Sequence, residues 1–280
     1  MQQKSVCFDT ETTGLKALEV ELIGIAFSYE VGKGYYVSFP ENQEETKAIL
    51  EEFIPFFENE NIEKIAHNIK YDLGILKNYG IILKGNYFDT MLAHYLIKPD
   101  MRHNMDLLSE TYLGYKPVSI TELIGKKGKN QKSMLDLPPS EVVDYACEDS
   151  DITFQLYQKF LPEIEKEHLK DLFFNIEMPL IPVLQKMETE GIKLNTEELK
   201  DFSLRLGTDL DRLTKEIKEL ADAEFNLDSP RQLGEVLFDK MQITDKAKKT
   251  KTGQYATNED VLTKLKDKHE IIPLILDYRG

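Results

Sequence analysis

Cysteine, long apolar runs and basic charge are all scarce in this sequence. Two cysteines, Cys7 in an apolar stretch and Cys147 in a helical one, cannot build a disulfide framework or a cysteine-rich zinc site, and both read as core residues. No run nears the roughly 18 apolar residues of a membrane span, and the start "MQQKSVCFD" lacks the apolar stretch of a signal peptide. The expectation is a cytoplasmic protein with no membrane partner. Internal repeats and low-complexity tracts are absent as well. Lys and Arg number 35 against 50 Asp and Glu, a net charge of −15. The acidic excess covers both halves, 17 basic against 27 acidic residues over 1–166 and 18 against 23 over 167–280. By itself this argues against a nucleic-acid partner, because affinity for phosphates rests on basic side chains.

Two stretches run against that average. "GKKGKN" at 125–130 and "DKAKKTKTG" at 245–253 are lysine-rich loops that could follow a phosphate backbone or simply be solvated. The rest is an ordinary globular profile, 41% hydrophobic and 30% charged, and the 280 residues suffice for about two domains. Residues 4–9, 21–29 and 33–39 read as strands, with "EVGKG" as the hairpin turn between the last two. A helix is expected at 44–57, a strand at 63–68, a helix at 70–79 and a strand at 86–89, an alternating α/β pattern. No further strand is expected until "GIKLN" at 191–195. Composition shifts near 160–170, where charged "LPEIEKEHLKD" gives way to an amphipathic pattern from Leu172, so a domain boundary is placed at 166/167. The second half reads as helical: one helix capped by Thr196 and running to about Ala223, another from "DSPRQL" with Pro230 in its first turn, and a third from "TNEDVLTKL".

Chemistry concentrates at a few strand and helix ends. In "VCFDTETTGL" Asp9 and Glu11 are two apart on an expected strand and so share one side of it. Two carboxylates that close have a cation to neutralise them, carry a raised pKa, or are a solvated pair. "IAHNIKYDLGIL" sets His67 and Asn68 at a strand end and Asp72 in the first turn of the next helix, which is also where an ordinary helix-start aspartate sits. "DYACEDSDITFQL" sets Tyr145 and Asp149 on one helix face a turn apart, a pattern shared by any acidic exposed face. His67 and His94 read as packed histidines that need not act as bases.

Taken together, these residues resemble the three motifs of the DEDDy family of 3′→5′ exonucleases: D-x-E at Asp9 and Glu11, N-x-x-x-D at Asn68 and Asp72, and Y-x-x-x-D at Tyr145 and Asp149. "IAHNIKYDLGIL", "FDTMLAHYLIKP" and "YACEDSDITFQLY" are similar to the proofreading domain of bacterial family A DNA polymerases. "FFNIEMPLIPVLQKMETEGIKLN", "SPRQLGEVLFDKM", "KTKTGQYATNEDVLTKL" and "PLILDYR" look like the opening, mainly thumb, segments of the same polymerases. The resemblance implies an α/β fold, a ribonuclease H-like mixed sheet flanked by helices over 1–166, followed by a mostly helical partial thumb over 167–280. It stops at Gly280 before any palm carboxylate, so the chain is expected to be a polymerase fragment that cannot extend a primer.

The implied activity is metal-dependent 3′→5′ hydrolysis of phosphodiester bonds at DNA 3′ ends, the proofreading step of a DNA-directed DNA polymerase in replication and repair, with a dNMP as product. Two Mg2+ ions per site are implied, with Mn2+ or Zn2+ as substitutes. By the family's pattern Asp9 bridges both ions, Glu11 and Asp149 complete the tighter site, and Asp72 holds the second ion largely through water. Tyr145 orients the attacking water with Glu11. Thr12, Leu15 and Asn68 match contacts to the terminal nucleotide, Leu15 as an apolar wedge. A single-stranded 3′ end would enter this site, while Lys246, Lys248, Lys249 and Lys251 match a thumb tip that holds duplex backbone. A nucleoid-associated monomer is implied. Two rivals remain, a catalytically silent scaffold or clamp of a polymerase and a stand-alone DEDDy exoribonuclease. The retained carboxylates and tyrosine favour activity over the first, and the polymerase-like second half stands against the other.

Overall fold

Val6, Cys7 and Phe8 are buried, as a strand covered on both faces requires, and the strand they belong to organises the first half of the chain. The computed structural model describes residues 3–126, 128 and 131–280; Lys127, Lys129 and Asn130 of the first lysine-rich stretch lie outside the described residues. Five strands, β1 (Ser5–Thr12), β2 (Leu22–Glu30), β3 (Lys33–Ser38), β4 (Glu63–Ala66) and β5 (Tyr87–Asp89), form one sheet in the order β3-β2-β1-β4-β5. The first three pair antiparallel as a meander, and β4 and β5 add in parallel on the other side of β1. Helices cover this mixed sheet: α1 (Gln43–Glu51), α2 (Ile54–Phe57), α3 (Ile69–Asn78), α4 (Thr90–Ile97), α5 (Met105–Leu113), α6 (Ile120–Leu123), α7 (Pro139–Lys166), α8 (Lys170–Leu172) and α9 (Met178–Glu190). Phe8, Ile25, Ile65 and Phe88 from the strands meet Leu156 and Phe160 of α7 in one apolar core.

The strands and helices expected up to residue 90 are all present, with one interruption. The helix expected at 44–57 is two helices, because Pro55 has no N–H to give to a preceding carbonyl and the chain restarts with Pro55 in the first turn of α2. Two compact units divide the chain, Met1–Gly191 and Ile192–Gly280. The composition shift near 160–170 falls inside the first unit. Phe173, Met178 and Ile181, beyond that shift, are buried in the same core as the sheet, so packing carries the unit about one helix further than charge does.

In the second unit α10 (Thr196–Ala221) presents Leu213, Ile217 and Ala221 to Leu233 of α11 (Pro230–Gly234), Leu262 of α12 (Glu259–Thr263) and Ile271 and Ile275 of α13 (Ile271–Arg279). Asn195, rather than Thr196, caps α10, accepting from the N–H of Glu198 at 3.2 Å. "GIKLN" is not a strand: Ile192 and Leu194 are exposed, Gly191 has φ 66°, and no described segment lies alongside to form a ladder. No described helix is long and apolar enough to cross a membrane.

Candidate active site

The parallel pairing of β1 with β4 ends at Cys7 opposite Ile65, while its antiparallel pairing with β2 continues through Asp9 opposite Ala26 and Glu11 opposite Gly24. Asp9 and Glu11 therefore stand on the stretch of β1 that β4 no longer flanks, at the carboxyl ends of the parallel strands. That is where an open α/β sheet leaves a crevice. From β4 the chain turns through His67 and Asn68 into α3, and Asn68 takes a left-handed conformation with φ 66° that asparagine tolerates better than most residues. One turn into α3, Asp72 is buried and its Oδ1 accepts from Thr10 Oγ1 at 2.6 Å and from the Thr10 N–H at 3.2 Å.

The remaining two groups come from α7. Its seat on the sheet depends on Gly34 in β3, where a Cβ would lie 2.5 Å from Cys147 Cβ and 2.6 Å from the Cys147 carbonyl oxygen. Only a glycine lets α7 approach this closely. Asp151, further along α7, accepts from the N–H of Gly32 at 2.8 Å and ties the helix to the β2–β3 turn.

The electrostatics record that these five residues meet. Burial pushes the Asp9 carboxyl well above the ordinary carboxylate range and the negative charge of Asp72 adds to it. Glu11 is raised by burial, then by Asp9, Asp149 and Asp72. Asp149 is raised by burial and by Asp9, against a lowering contact from the Tyr145 hydroxyl. Tyr145 in turn is raised by burial, then by Asp149 and Glu11. Asp72 is pushed up to about 7 by burial, although both Thr10 donors favour its charged form. Four carboxylates and a phenol from β1, α3 and α7 thus lie near enough for their charges to act on one another.

The donor set fits a divalent cation in its chemistry. Carboxylate oxygens are the hard ligands magnesium takes, a cation relieves mutual repulsion of this kind, and Glu11 Oε1 is buried without a hydrogen-bond partner. It is not a closed cage, because no three His, Cys, Asp or Glu side chains among the described residues converge as a preformed metal site. Asp9, Glu11, Asp72 and Asp149 are the residues such an ion would use.

Nearby, the Thr12 and Tyr71 hydroxyls hydrogen-bond to each other at 2.6 Å and each lies 2.8 Å from the Gly14 carbonyl oxygen, which accepts from one of them. That clamp shapes the turn whose tip is Leu15, a leucine with 89% of its surface exposed. Leu15 and Asn68 both line a groove of 440 Å³ whose opposite wall is Gln185, Glu188 and Thr189 of α9. Lys70 and Glu188 meet across it at 2.6 Å. His67 and His94 stand apart from this chemistry. Burial lowers each to about 4, and they bond to Thr90 and to His103 and Tyr112 respectively. Lys246, Lys248, Lys249 and Lys251 are exposed in the second unit. There Lys249 packs 4.8 Å from the Tyr255 ring centre beside a turn closed at Gly253. Thr10, Gly34 and Tyr71 escape the sequence reading. A threonine between two acidic residues, a glycine inside a strand and a tyrosine next to Asp72 were the signals available.

Residues 1–165 match the family model described as 3'-5' exonuclease. The chain belongs to that exonuclease family. Residues 196–280 match a second model, DNA polymerase family A. DNA polymerase I of Borreliella burgdorferi is 35% identical over 99% of the chain, and that of Pseudomonas aeruginosa 34% identical over 98%. The chain spans 30% and 31% of those two proteins. Among solved structures, the "POL domain of Pol1 from M. smegmatis complex with DNA primer-template and dNTP" superposes with a TM-score of 0.77 at 24% identity, covering 99% of this chain and 44% of that one. "Brucella melitensis NrnC with bound Mg2+" gives 0.54 at 18% identity, covering 68% of this chain and 87% of that one. Both neighbours share the fold of this exonuclease family member, a ribonuclease H-like mixed sheet flanked by helices. Membership in the family carries dependence on a divalent metal.

Proposed function

We propose that the first unit is a 3′→5′ exodeoxyribonuclease that removes dNMPs from DNA 3′ ends, and that the second is the opening, mainly thumb, part of a family A polymerase domain. Its parent would be a DNA-directed DNA polymerase I in which this unit proofreads during replication and repair. The observation that supports this most is the placement of Asp9 and Glu11 on β1 beyond the end of β4, with Asp72 bonded to Thr10 between them and the Glu11 Oε1 left without a partner, while Tyr145 and Asp149 of α7 feel the same charges. Magnesium ions, or Mn2+ or Zn2+ in their place, supply neutralisation of the phosphate charge and acidification of water. Asp9, Glu11, Asp72 and Asp149 would hold them. Tyr145, kept protonated by its surroundings, would hydrogen-bond to the oxygen of the attacking water without giving up its proton and so align the water with the scissile bond, with Glu11 on the water's other side. Thr12 and Asn68 hold the terminal nucleotide, Leu15 wedges against its base, and recognition through sugar, phosphate and stacking leaves little sequence preference.

Incubating the purified chain with an end-labelled single strand, with Mg2+ or with chelator, tests the reading. Mononucleotide release that requires the metal is expected, and Asp149→Ala should abolish it. Tyr145→Phe should lower the single-turnover rate by roughly 10²-fold, the scale of a misplaced reacting group, while DNA affinity is unchanged. A wild-type chain that releases nothing would sink the proposal; a Tyr145→Phe loss matched by lost affinity would make Tyr145 a binding residue.

A further inference from the structure

Asp89 is the last residue of β5 and the N-cap of α4, and it is buried with 3% of its surface exposed. Its Oδ1 accepts from the N–H groups of Met91 at 2.8 Å and Leu92 at 3.1 Å, which is ordinary capping of α4. Capping does not account for its other two bonds. Oδ1 also accepts from the N–H of Asn68 at 3.2 Å and Oδ2 from that of Ile69 at 2.9 Å. These belong to the turn between β4 and α3, twenty residues earlier in the chain. That turn needs an outside acceptor, because Asn68 is in the left-handed region and its own side chain makes no capping bond to α3. The next residue reinforces the link: Thr90 Oγ1 lies 2.8 Å from His67 Nδ1 and donates to the Ala66 carbonyl at 3.3 Å.

We propose that Asp89 is a positioning residue of the nuclease site: its carboxylate, shared between the first turns of α3 and α4, fixes the turn that presents Asn68 and aims Asp72 at Asp9 and Glu11. The inference rests on the activity proposed above. Asp89 touches neither substrate nor reacting atoms in it. A carboxylate suits the task because it only accepts and has room for all four N–H groups. An amide at this place would turn its NH2 group toward backbone donors.

Asp89→Ser separates the two roles of the residue. Serine is a good N-cap and keeps the local bonds to α4, but its single short hydroxyl cannot also reach Asn68 and Ile69. At saturating DNA and Mg2+, below the variant's melting temperature, the single-turnover rate is expected to fall at least about tenfold. In the metal-free protein, amide exchange at Asn68 and Ile69 should accelerate by about tenfold or more while Met91 and Leu92 stay protected. Wild-type cleavage by folded Asp89→Ser, or unchanged exchange at Asn68 and Ile69, would overturn the proposal. Should that variant not fold, Asp89→Asn, which keeps one acceptor oxygen for α4 but turns an NH2 group toward the donors of the β4–α3 turn, decides: a lowered rate supports the proposal and an unchanged one overturns it. An inactive wild type would instead sink the nuclease reading, and the exchange measurement would still report on Asp89.

Discussion

Asp72 shows at the scale of one residue how a site can be costly to the fold that builds it. Its carboxyl is pushed from an ordinary 3.8 to about 7 by burial, even with two donors from Thr10 on one oxygen. A carboxyl whose folded pKa lies above its unfolded value stabilises the fold while it is protonated. That contribution is complete below about 4 and is lost as pH rises through about 7, on the order of 4 kcal/mol for a shift of this size. Asp9, Glu11 and Asp149 are raised too, so they act with the same sign. The metal-free protein should therefore melt at progressively lower temperature as pH rises from about 4 to about 7, and Mg2+ should restore more at pH 8 than at pH 4. Differential scanning calorimetry with chelator and with Mg2+ checks this. Asp72→Asn should flatten the metal-free slope over the same window, and an unchanged slope would assign it to other groups.

At the scale of elements, α7 carries Tyr145 and Asp149 to the site and Gly34 sets its height above the sheet. Gly34→Ala would put a methyl group 2.5 Å from Cys147 Cβ and 2.6 Å from its carbonyl oxygen. Backbone is among the atoms struck, so trimming Cys147 cannot relieve the clash. Overpacking of this kind costs about 1–3 kcal/mol, and a lifted helix should also lose cleavage by about tenfold or more through misplacement of Tyr145 and Asp149. Urea denaturation and single-turnover kinetics read the two effects. Lost stability with wild-type cleavage would mean that the site tolerates movement of α7. Elements were also the most legible level of the sequence, because burial writes its period directly into residues 4–39 and 63–89. The exceptions are physical. Pro55 divides an otherwise continuous helical pattern. "GIKLN" has strand composition but no neighbouring edge among the described residues, and strand pairing is not local. Spacings of two on a strand and four on a helix put Asp9 beside Glu11 and Tyr145 beside Asp149 on one face each, whereas the approach of these pairs and of Asp72 to one another depends on how β1, β4 and α7 pack. Asp89 sits in plain view before α4 as a cap, whereas its bonds to Asn68 and Ile69 depend on how β4 and β5 pair.

For the whole molecule, the net charge of −15 and a DNA substrate are compatible if binding is divided among parts. All five site residues lie in the first unit, and the exposed lysines of 246–251 lie in the second. On the proposed function the first unit needs only a short single strand held at its metal site, and duplex affinity comes from the lysines. Replacing Lys246, Lys248, Lys249 and Lys251 together with glutamine should leave cleavage of a short single strand at the wild-type rate. Duplex binding should weaken, and its log affinity should depend less steeply on log salt, by up to about 3.6 if each lysine neutralises one phosphate at the roughly 0.9 per contact of B-DNA. Lys249 also packs on Tyr255, so Lys249→Gln alone separates loss of charge from loss of the hairpin's shape: charge alone removes about 0.9 of slope, a deformed hairpin more. Salt titrations of duplex binding beside single-turnover cleavage of a short strand provide the test. If the fourfold variant lost single-strand cleavage, the lysines would belong to the nuclease site and the proposed division of labour between the two units would fail.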